Sequence, residues 1–292
     1  MEKGSGREKE GFTGRIRKGT GEKKQDGPSS KEEERKTALV TGASRGLGLS
    51  FARLLAEEGH DLVLVARSEE KLNHVKEELE RAYGVTAYVC PADLSQVDAA
   101  LRVFAYTEEQ GLRVDVLVNN AGFGDAHRFA DCEWQKQADM VQVDITAVMQ
   151  LTRFYLPGML ERKRGAIINL SSVAAFCSGP YMSVYYAAKA FVRSFSEAVA
   201  EEVKGSGVTV TALCPGPTAT GFEASAQMGR NSRMFRRAAK AEDVAKAGIR
   251  ALHRGRVLCY QGAFTKCMAF LSHLVPRSVT RKFATWMNEK GR

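Results

Sequence analysis

The sequence predicts an α/β fold: one doubly wound domain, with a seven-stranded parallel sheet covered by helices on both faces. Three observations lead there. Short apolar runs alternate with longer helical stretches from Lys36 to Tyr260, which is the pattern of a parallel sheet with crossover helices. The runs, such as DLVLVA at 61–66, are apolar at nearly every position rather than at every second one, so each strand is buried on both faces. The first run also leads into a glycine-rich turn, TGASRGLG at 41–48, that opens a helix.

The elements follow in order. Residues 37–40 form the first strand, and a helix follows the turn as far as Gly59. Strand 61–66 precedes a charged, periodic helix over 68–83, for which Ser68 is the expected N-cap. Strand 85–90, helix 95–110 and strand 114–118 come next, the last ending at Asn119. A long helical stretch spans 134–162, and Pro157 inside it is expected to break or kink it. Strand 166–170, helix 183–204, strand 208–213, helix 241–253 and strand 256–260 complete the set. In such a sheet the ligand crevice lies at the C-terminal strand ends.

Composition bounds the rest. The chain has 292 residues, 44% hydrophobic and 26% charged, with a formal net charge of +9, ordinary for one large globular domain. Residues 1–34 are Gly, Lys, Glu and Ser with almost nothing apolar, so a disordered leader is expected, with a basic arm for an acidic partner as the alternative. The catalytic domain is assigned to 35–262 and a basic amphipathic extension to 263–292. From Arg250 onward nine Lys or Arg face a single acid, Glu289. That tail reads either as packing on the core or a subunit partner, or as a helix lying on a membrane surface. No stretch reaches the ~18 apolar residues of a spanning helix. The six cysteines form no C-x-x-C pair and read as reduced thiols in a cytoplasmic chain. No metal site is expected, and no nucleic-acid-reading motif accompanies the positive charge.

The chemistry-bearing residues fall at the strand ends. In the turn Thr41-Gly42-Ala43-Ser44-Arg45-Gly46-Leu47-Gly48, glycines permit a tight turn and close approach of the backbone to a pyrophosphate. The helix N-terminus then offers unpaired N–H groups to it. Tyr185 and Lys189 lie four apart on a helix and so share one face. A free tyrosine has a pKa near ~10; a neighbouring ammonium favours the phenolate and moves it toward useful acid–base range. Ser172, just past the fifth strand, can donate to a substrate oxygen. Tyr186 has no lysine four residues on, because position 190 is Ala. Where an NAD site would place an acid at the end of the second strand, this chain has Ala66 followed by Arg67, with Arg45 and Ser44 in the glycine-rich turn. Two guanidinium groups suit a 2′-phosphate, so NADP(H) is the expected cofactor.

Taken in order, TGxxxGxG at 41–48, Asp93-Leu94, Asn119-Asn120-Ala121-Gly122, Ser172, Tyr185-x-x-x-Lys189 and Pro215-Gly216 with Thr220 resemble the short-chain dehydrogenase/reductase family over about residues 36–260. The resemblance implies a Rossmann-like domain and hydride exchange between NADP(H) and a carbonyl or alcohol carbon. Tyr185 is then the acid or base, Ser172 orients the substrate oxygen, and Lys189 holds the nicotinamide ribose and lowers the tyrosine's pKa. It further implies that Asp93 approaches the adenine and Asn119 the adenosine. Thr220 contacts the carboxamide or phosphates, and Thr218 stands where the family often has Val. Leu94, Ala121, Gly122, Pro215 and Gly216 complete the cofactor set, and relatives commonly form homodimers or homotetramers. One position departs from the pattern. Asp144 occupies the place of a family Asn that helps a water reach the lysine, so either the proton relay is altered or Asp144 keeps the local geometry and the water. Phe123, Phe176, Tyr181, Met182, Phe222 and Met228 are candidate apolar walls of the substrate side, or equally lid packing. The leading expectation is a reductase of an apolar ketone or aldehyde, acyl-chain or steroid-like rather than a sugar. A non-enzymatic NADPH-binding sensor or scaffold is the other class.

Overall fold

In the computed structural model, which describes residues 35–227 and 238–289, the strands are placed by where their apolar side chains go. The main sheet contains β1 (Thr37–Thr41), β2 (Asp61–Ala66), β3 (Ala87–Pro91), β4 (Val114–Asn119), β5 (Gly165–Leu170), β6 (Val208–Pro215) and β9 (Leu258–Gln261). Their order is β3-β2-β1-β4-β5-β6-β9 and every pairing is parallel. Successive residues point to opposite faces, and two cores result. On one face Ala38, Val40, Leu62, Leu64, Val116 and Val118 meet α1 (Gly46–Glu57), α2 (Glu69–Tyr83) and α8 (Ala241–His253). On the other, Leu39, Val63, Val65, Leu117 and Ile167 meet α3 (Ala99–Glu109), α5 (Ala147–Glu161) and α6 (Ser183–Glu202). The seven-stranded doubly wound sheet expected from the sequence is therefore present. Its strand order reverses between β1 and β4, the point at which a crevice opens in such sheets.

Local chemistry sets the helix ends. The Ser68 hydroxyl accepts from Lys71 N at 3.4 Å to cap α2, and Gly84, at φ 65°, ends it. α3 begins at Ala99 rather than at 95, because Ser95 is tied back to Asp93, its N and Oγ donating to Asp93 Oδ1 at 3.1 and 2.9 Å. The expected long helix over 134–162 is interrupted, but not at Pro157, which lies within α5. The irregularity is a π-helical segment, Gln142–Thr146, between α4 (Trp134–Val141) and α5. It carries Asp144 at its centre, fully buried, and π-turns of this kind frequently accompany functional sites.

Among the shorter elements, β7 (Thr218–Ala219) pairs in parallel with β8 (Ala239–Lys240), and α7 (Phe222–Ser225) lies between them. The expected mixed tail forms α9 (Ala263–Leu274) and α10 (Arg277–Glu289). Both lean on the core through small or polar residues: Thr265 and Ala269 on α9, Ala284 and Asn288 on α10. All six cysteines are free thiols. Burial pushes the Cys90 thiol up to about 11 and the Cys214 thiol up to about 12. The leader at 1–34 lies outside the described residues.

Phe51 is fully buried where α1 meets α8, its ring against Gly248. Phe51→Ala is expected to lower the unfolding free energy by about 3–5 kcal/mol in urea denaturation, and a loss below about 1 kcal/mol would contradict this packing.

Candidate active site

The C-terminal ends of β1 to β6 surround a cleft of about 710 Å³. Its floor is the glycine-rich turn. Gly42 and Gly46 sit at φ 67° and 57°, in the left-handed region that favours glycine. A Cβ on Gly48 would run into the Gly42 carbonyl oxygen. α1 starts without a side-chain cap and without an acid in its first turn, so its leading N–H groups are left for an anion. Thr41 and Asn120 hold this turn to the end of β4. Asn120 N and Ala121 N donate to Thr41 Oγ1 at 2.9 and 3.0 Å, and Asn120 Nδ2 donates to the Thr41 carbonyl at 2.8 Å.

Most of the cofactor residues expected from the sequence line the cleft: Gly42 through Leu47 apart from Ala43, Arg67, Asp93, Leu94, Ala121, Gly122, Pro215, Gly216, Thr218 and Thr220. Two do not. Gly48 packs beneath the turn. Asn119 is buried with its amide donating to Asn169 Oδ1 at 2.8 Å and to Thr152 Oγ1 at 3.3 Å, so it ties β4 to its neighbours instead of facing the cleft. Its neighbour Asn120 lines the cleft in its place. Strand alternation separates the two asparagines, but the motif alone does not say which of them faces inward. Arg45, Arg67 and Lys71 are all exposed at the rim. Lys71, in the first turn of α2, was not singled out in the sequence, although its place three residues after the Ser68 cap puts it near the end of β2.

The reacting end is built from β5, α6 and the π segment. Ser172 follows β5, its Oγ accepts from Ala174 N at 3.1 Å, and it lines the cleft together with Tyr185. Tyr185 and Lys189 stand one turn apart on α6, with Lys189 Nζ 5.6 Å from the tyrosine ring centroid. Ser171, missed in the sequence, fixes this part of α6 by donating to the Lys189 carbonyl at 2.8 Å. Lys189 is buried. Its Nζ donates to the Leu170 carbonyl at 3.1 Å and lies 2.6 Å from Asp144 Oδ1. The other Asp144 oxygen accepts from Phe123 N at 3.2 Å. Gly122 makes room for the pair, because a Cβ there would sit 2.5 Å from Asp144 Oδ1 and 3.2 Å from Lys189 Nζ. Asp144 therefore lies behind the cleft wall, in direct contact with the lysine.

The electrostatics follow from burial and these contacts. Burial pushes the Asp144 carboxyl above its ordinary range, against the pull of Lys189 and the Phe123 N–H. Burial works against the Lys189 ammonium, but Asp144 and Tyr185 outweigh it and hold its pKa above the usual lysine value. Tyr185 is raised by burial; Lys189 and the Ser172 hydroxyl draw it down, and Asp144 pushes it up. Tyr186 points elsewhere, its hydroxyl donating to Asn288 Oδ1 at 3.2 Å.

On the substrate side Phe123, Met182 and Phe222 line the cleft. Phe176 and Tyr181 do not. Phe176 is buried between β6 and α9, with Cys214 and Ala269, and Tyr181, at φ 68°, donates to Glu289 Oε1 at 3.3 Å. Both belong to the loop after Ser172, whose path depends on where α9 and α10 dock. Met228 lies outside the described residues.

A dinucleotide cradle at the β1–α1 turn and a Ser-Tyr-Lys cluster at the end of β5 and on α6 define a nicotinamide-dependent oxidoreductase architecture. The chain belongs to the short-chain dehydrogenase family, whose model it matches over residues 36–231. Among its relatives, the very-long-chain 3-oxoacyl-CoA reductase of Anas platyrhynchos is 40% identical over 188 residues, 63% of this chain and 60% of that protein. The 7beta-hydroxysteroid dehydrogenase of Collinsella aerofaciens is 37% identical over 182 residues, 62% of this chain and 68% of that protein. The solved short-chain dehydrogenase from Sphingobium yanoikuyae in complex with NADPH superposes with a TM-score of 0.75 at 28% identity, covering 82% of this chain and 93% of that one. The matches to the first curated relatives span only about half to two thirds of those proteins' own length.

Because a Cβ on Gly48 would meet the Gly42 backbone and the Asn120 amide, which is itself held by the Thr41 carbonyl, Gly48→Ala has little room to relax. It is expected to destabilise the protein by about 1–3 kcal/mol, read as a fall in thermal midpoint; an unchanged midpoint would contradict the close approach.

Proposed function

We propose that the protein is an NADP(H)-dependent oxidoreductase that interconverts a ketone or aldehyde with its alcohol on an extended apolar substrate, of acyl-chain or steroid type. The observation that carries this reading is the convergence of Ser172, Tyr185 and Lys189 on one cleft, with the Lys189 ammonium 5.6 Å from the Tyr185 ring centroid. The residues fit the cofactor. The glycine cradle and uncapped start of α1 suit its pyrophosphate, and Arg45 and Arg67, with Lys71 beside them, suit a 2′-phosphate. When bound, the nicotinamide supplies or accepts the hydride.

The chain's own residues do the rest. Tyr185 gives its phenolic proton to the nascent alkoxide in reduction and takes it back in oxidation. Ser172 hydrogen-bonds the same oxygen and keeps it in line with the tyrosine. Lys189 has three N–H donors. One serves the Leu170 carbonyl and one faces Asp144, which leaves the third for Tyr185 or a ribose hydroxyl. Asp144 positions this ammonium directly, in place of the water-bridged arrangement that an Asn there would support. Phe123, Met182 and Phe222 give the substrate side an apolar lining. That lining, together with the names of the acyl-CoA and steroid relatives, favours a long or fused-ring hydrocarbon over a sugar.

The test is loss of NADPH absorbance against long-chain 3-oxoacyl thioesters and ketosteroids, with NADH, Tyr185→Phe and Arg45→Ala/Arg67→Ala run in parallel. Turnover is expected with NADPH and to fall by about 10²-fold or more in Tyr185→Phe. The double arginine variant is expected to lose most of its preference for NADPH over NADH. Tight NADPH binding with no turnover of any compound would favour a sensor or scaffold, and binding of neither cofactor would overturn the reading.

A further inference from the structure

The two C-terminal helices turn apolar side chains outward. α9 buries Thr265 and Ala269. At ~100° per residue, the arc roughly opposite them carries Phe264, Cys267, Phe270, Leu271 and Leu274, and all five are exposed, Phe270 by 65% and Leu274 by 66%. A surface helix of a globular protein ordinarily does the reverse. α10 repeats the arrangement. Thr280, Ala284 and Asn288 face inward, whereas Val279, Phe283 and Trp286, at i, i+4 and i+7, are exposed, the two rings 6.0 Å apart. Around these arcs Lys266, Arg277, Arg281 and Lys282 are exposed, and residues 263–292 contain six Lys or Arg against the single acid Glu289. Among the described residues no helix is long and apolar enough to cross a membrane.

We propose that the outer face of α9 and α10 docks on the surface of an anionic lipid bilayer, its apolar side chains between the headgroups and its lysines and arginines on lipid phosphates. Apolar arcs with basic flanks are what such a surface selects. A second copy fits poorly, because pairing this patch with itself sets like charge against like. The inner face of α10 adds a consequence. Ala284 packs in one cluster with Met182 and Phe222 of the cleft lining, and Asn288 holds the Tyr186 hydroxyl and, at 2.8 Å, the Pro180 carbonyl. The helix that meets the bilayer therefore also backs the apolar side of the cleft, and an apolar substrate reaches that cleft from the lipid. This last step rests on the proposed activity; the docking does not.

The experiment is flotation of the full-length protein with vesicles of phosphatidylcholine plus phosphatidylglycerol, or of phosphatidylcholine alone, with light scattering to record the oligomeric state. Wild type is expected to float with the anionic vesicles and, relative to them, about tenfold more weakly with the neutral ones. Phe270→Ser/Leu274→Ser and Arg281→Glu/Lys282→Glu are each expected to lower anionic partitioning about tenfold, with circular dichroism and NADPH binding unchanged. No flotation, equal flotation on both vesicles, or flotation indifferent to the variants would overturn the proposal. So would a wild-type dimer that Phe270→Ser/Leu274→Ser splits without any vesicle binding. Wild-type protein that turns over substrate yet floats with neither kind of vesicle would sink the docking and leave the activity standing.

Discussion

The contact between Asp144 and Lys189 is the constraint around which the reacting end of the cleft is arranged. Both groups are buried, and a buried charge persists only when paired and hydrogen-bonded. The surroundings meet much of that demand: the Leu170 carbonyl takes one lysine proton, the Phe123 N–H reaches the carboxylate, and Gly122 leaves the space a side chain would occupy. The π segment carries Asp144 inward, and Ser171 holds the lysine's own backbone. Removing one partner would strand the other at a cost of about 3–5 kcal/mol. The pair thus fixes how β4, β5, α6 and the helix between them meet, and it leaves the lysine one proton with which to act on Tyr185.

The sheet explains why these residues converge. Parallel strands place all their C-terminal ends along one edge, and the reversal of order between β1 and β4 opens that edge into a crevice. The cofactor half and the reacting half are then joined by a small polar staple. Thr41 Oγ1 accepts from two successive N–H groups after β4 and donates to the Val118 carbonyl at 3.3 Å. The glycine-rich turn is held against the segment that also shelters Asp144, so nucleotide geometry and proton chemistry share one rigid frame.

Much of this was legible in the sequence, for identifiable reasons. Strands buried on both faces leave unbroken apolar runs, which is why β1, β2 and β4 begin and end within a residue of where they were expected. The glycine-rich turn and the Tyr-Lys pair are local, so their spacing carries their geometry. What escaped is tertiary. Nothing in QVDIT at 142–146 marks a π segment, and the lysine that its Asp144 meets lies forty-five residues further on. Asn119 and Asn120 are identical in kind, and only the pleat assigns one to the core and the other to the cleft. Phe176 and Tyr181 read as pocket walls until the docking of α9 and α10 draws them away. The tail was read as amphipathic, with packing on the core or a partner and lying on a membrane surface both left open, because helical periodicity gives a face and no direction.

The measurement that bears most directly on the role of the Asp144–Lys189 pair is the pH dependence of alcohol oxidation in wild type and Asp144→Asn. Oxidation needs the Tyr185 phenolate, so its rate rises as pH passes through the tyrosine's pKa. Asp144 pushes that pKa up and Lys189 draws it down. Replacing the carboxylate with a neutral amide is therefore expected to move the rising limb to lower pH, while Tyr185→Phe stays inactive throughout. A limb that stays in place or moves to higher pH would contradict the claim that this buried pair sets the proton affinity of Tyr185.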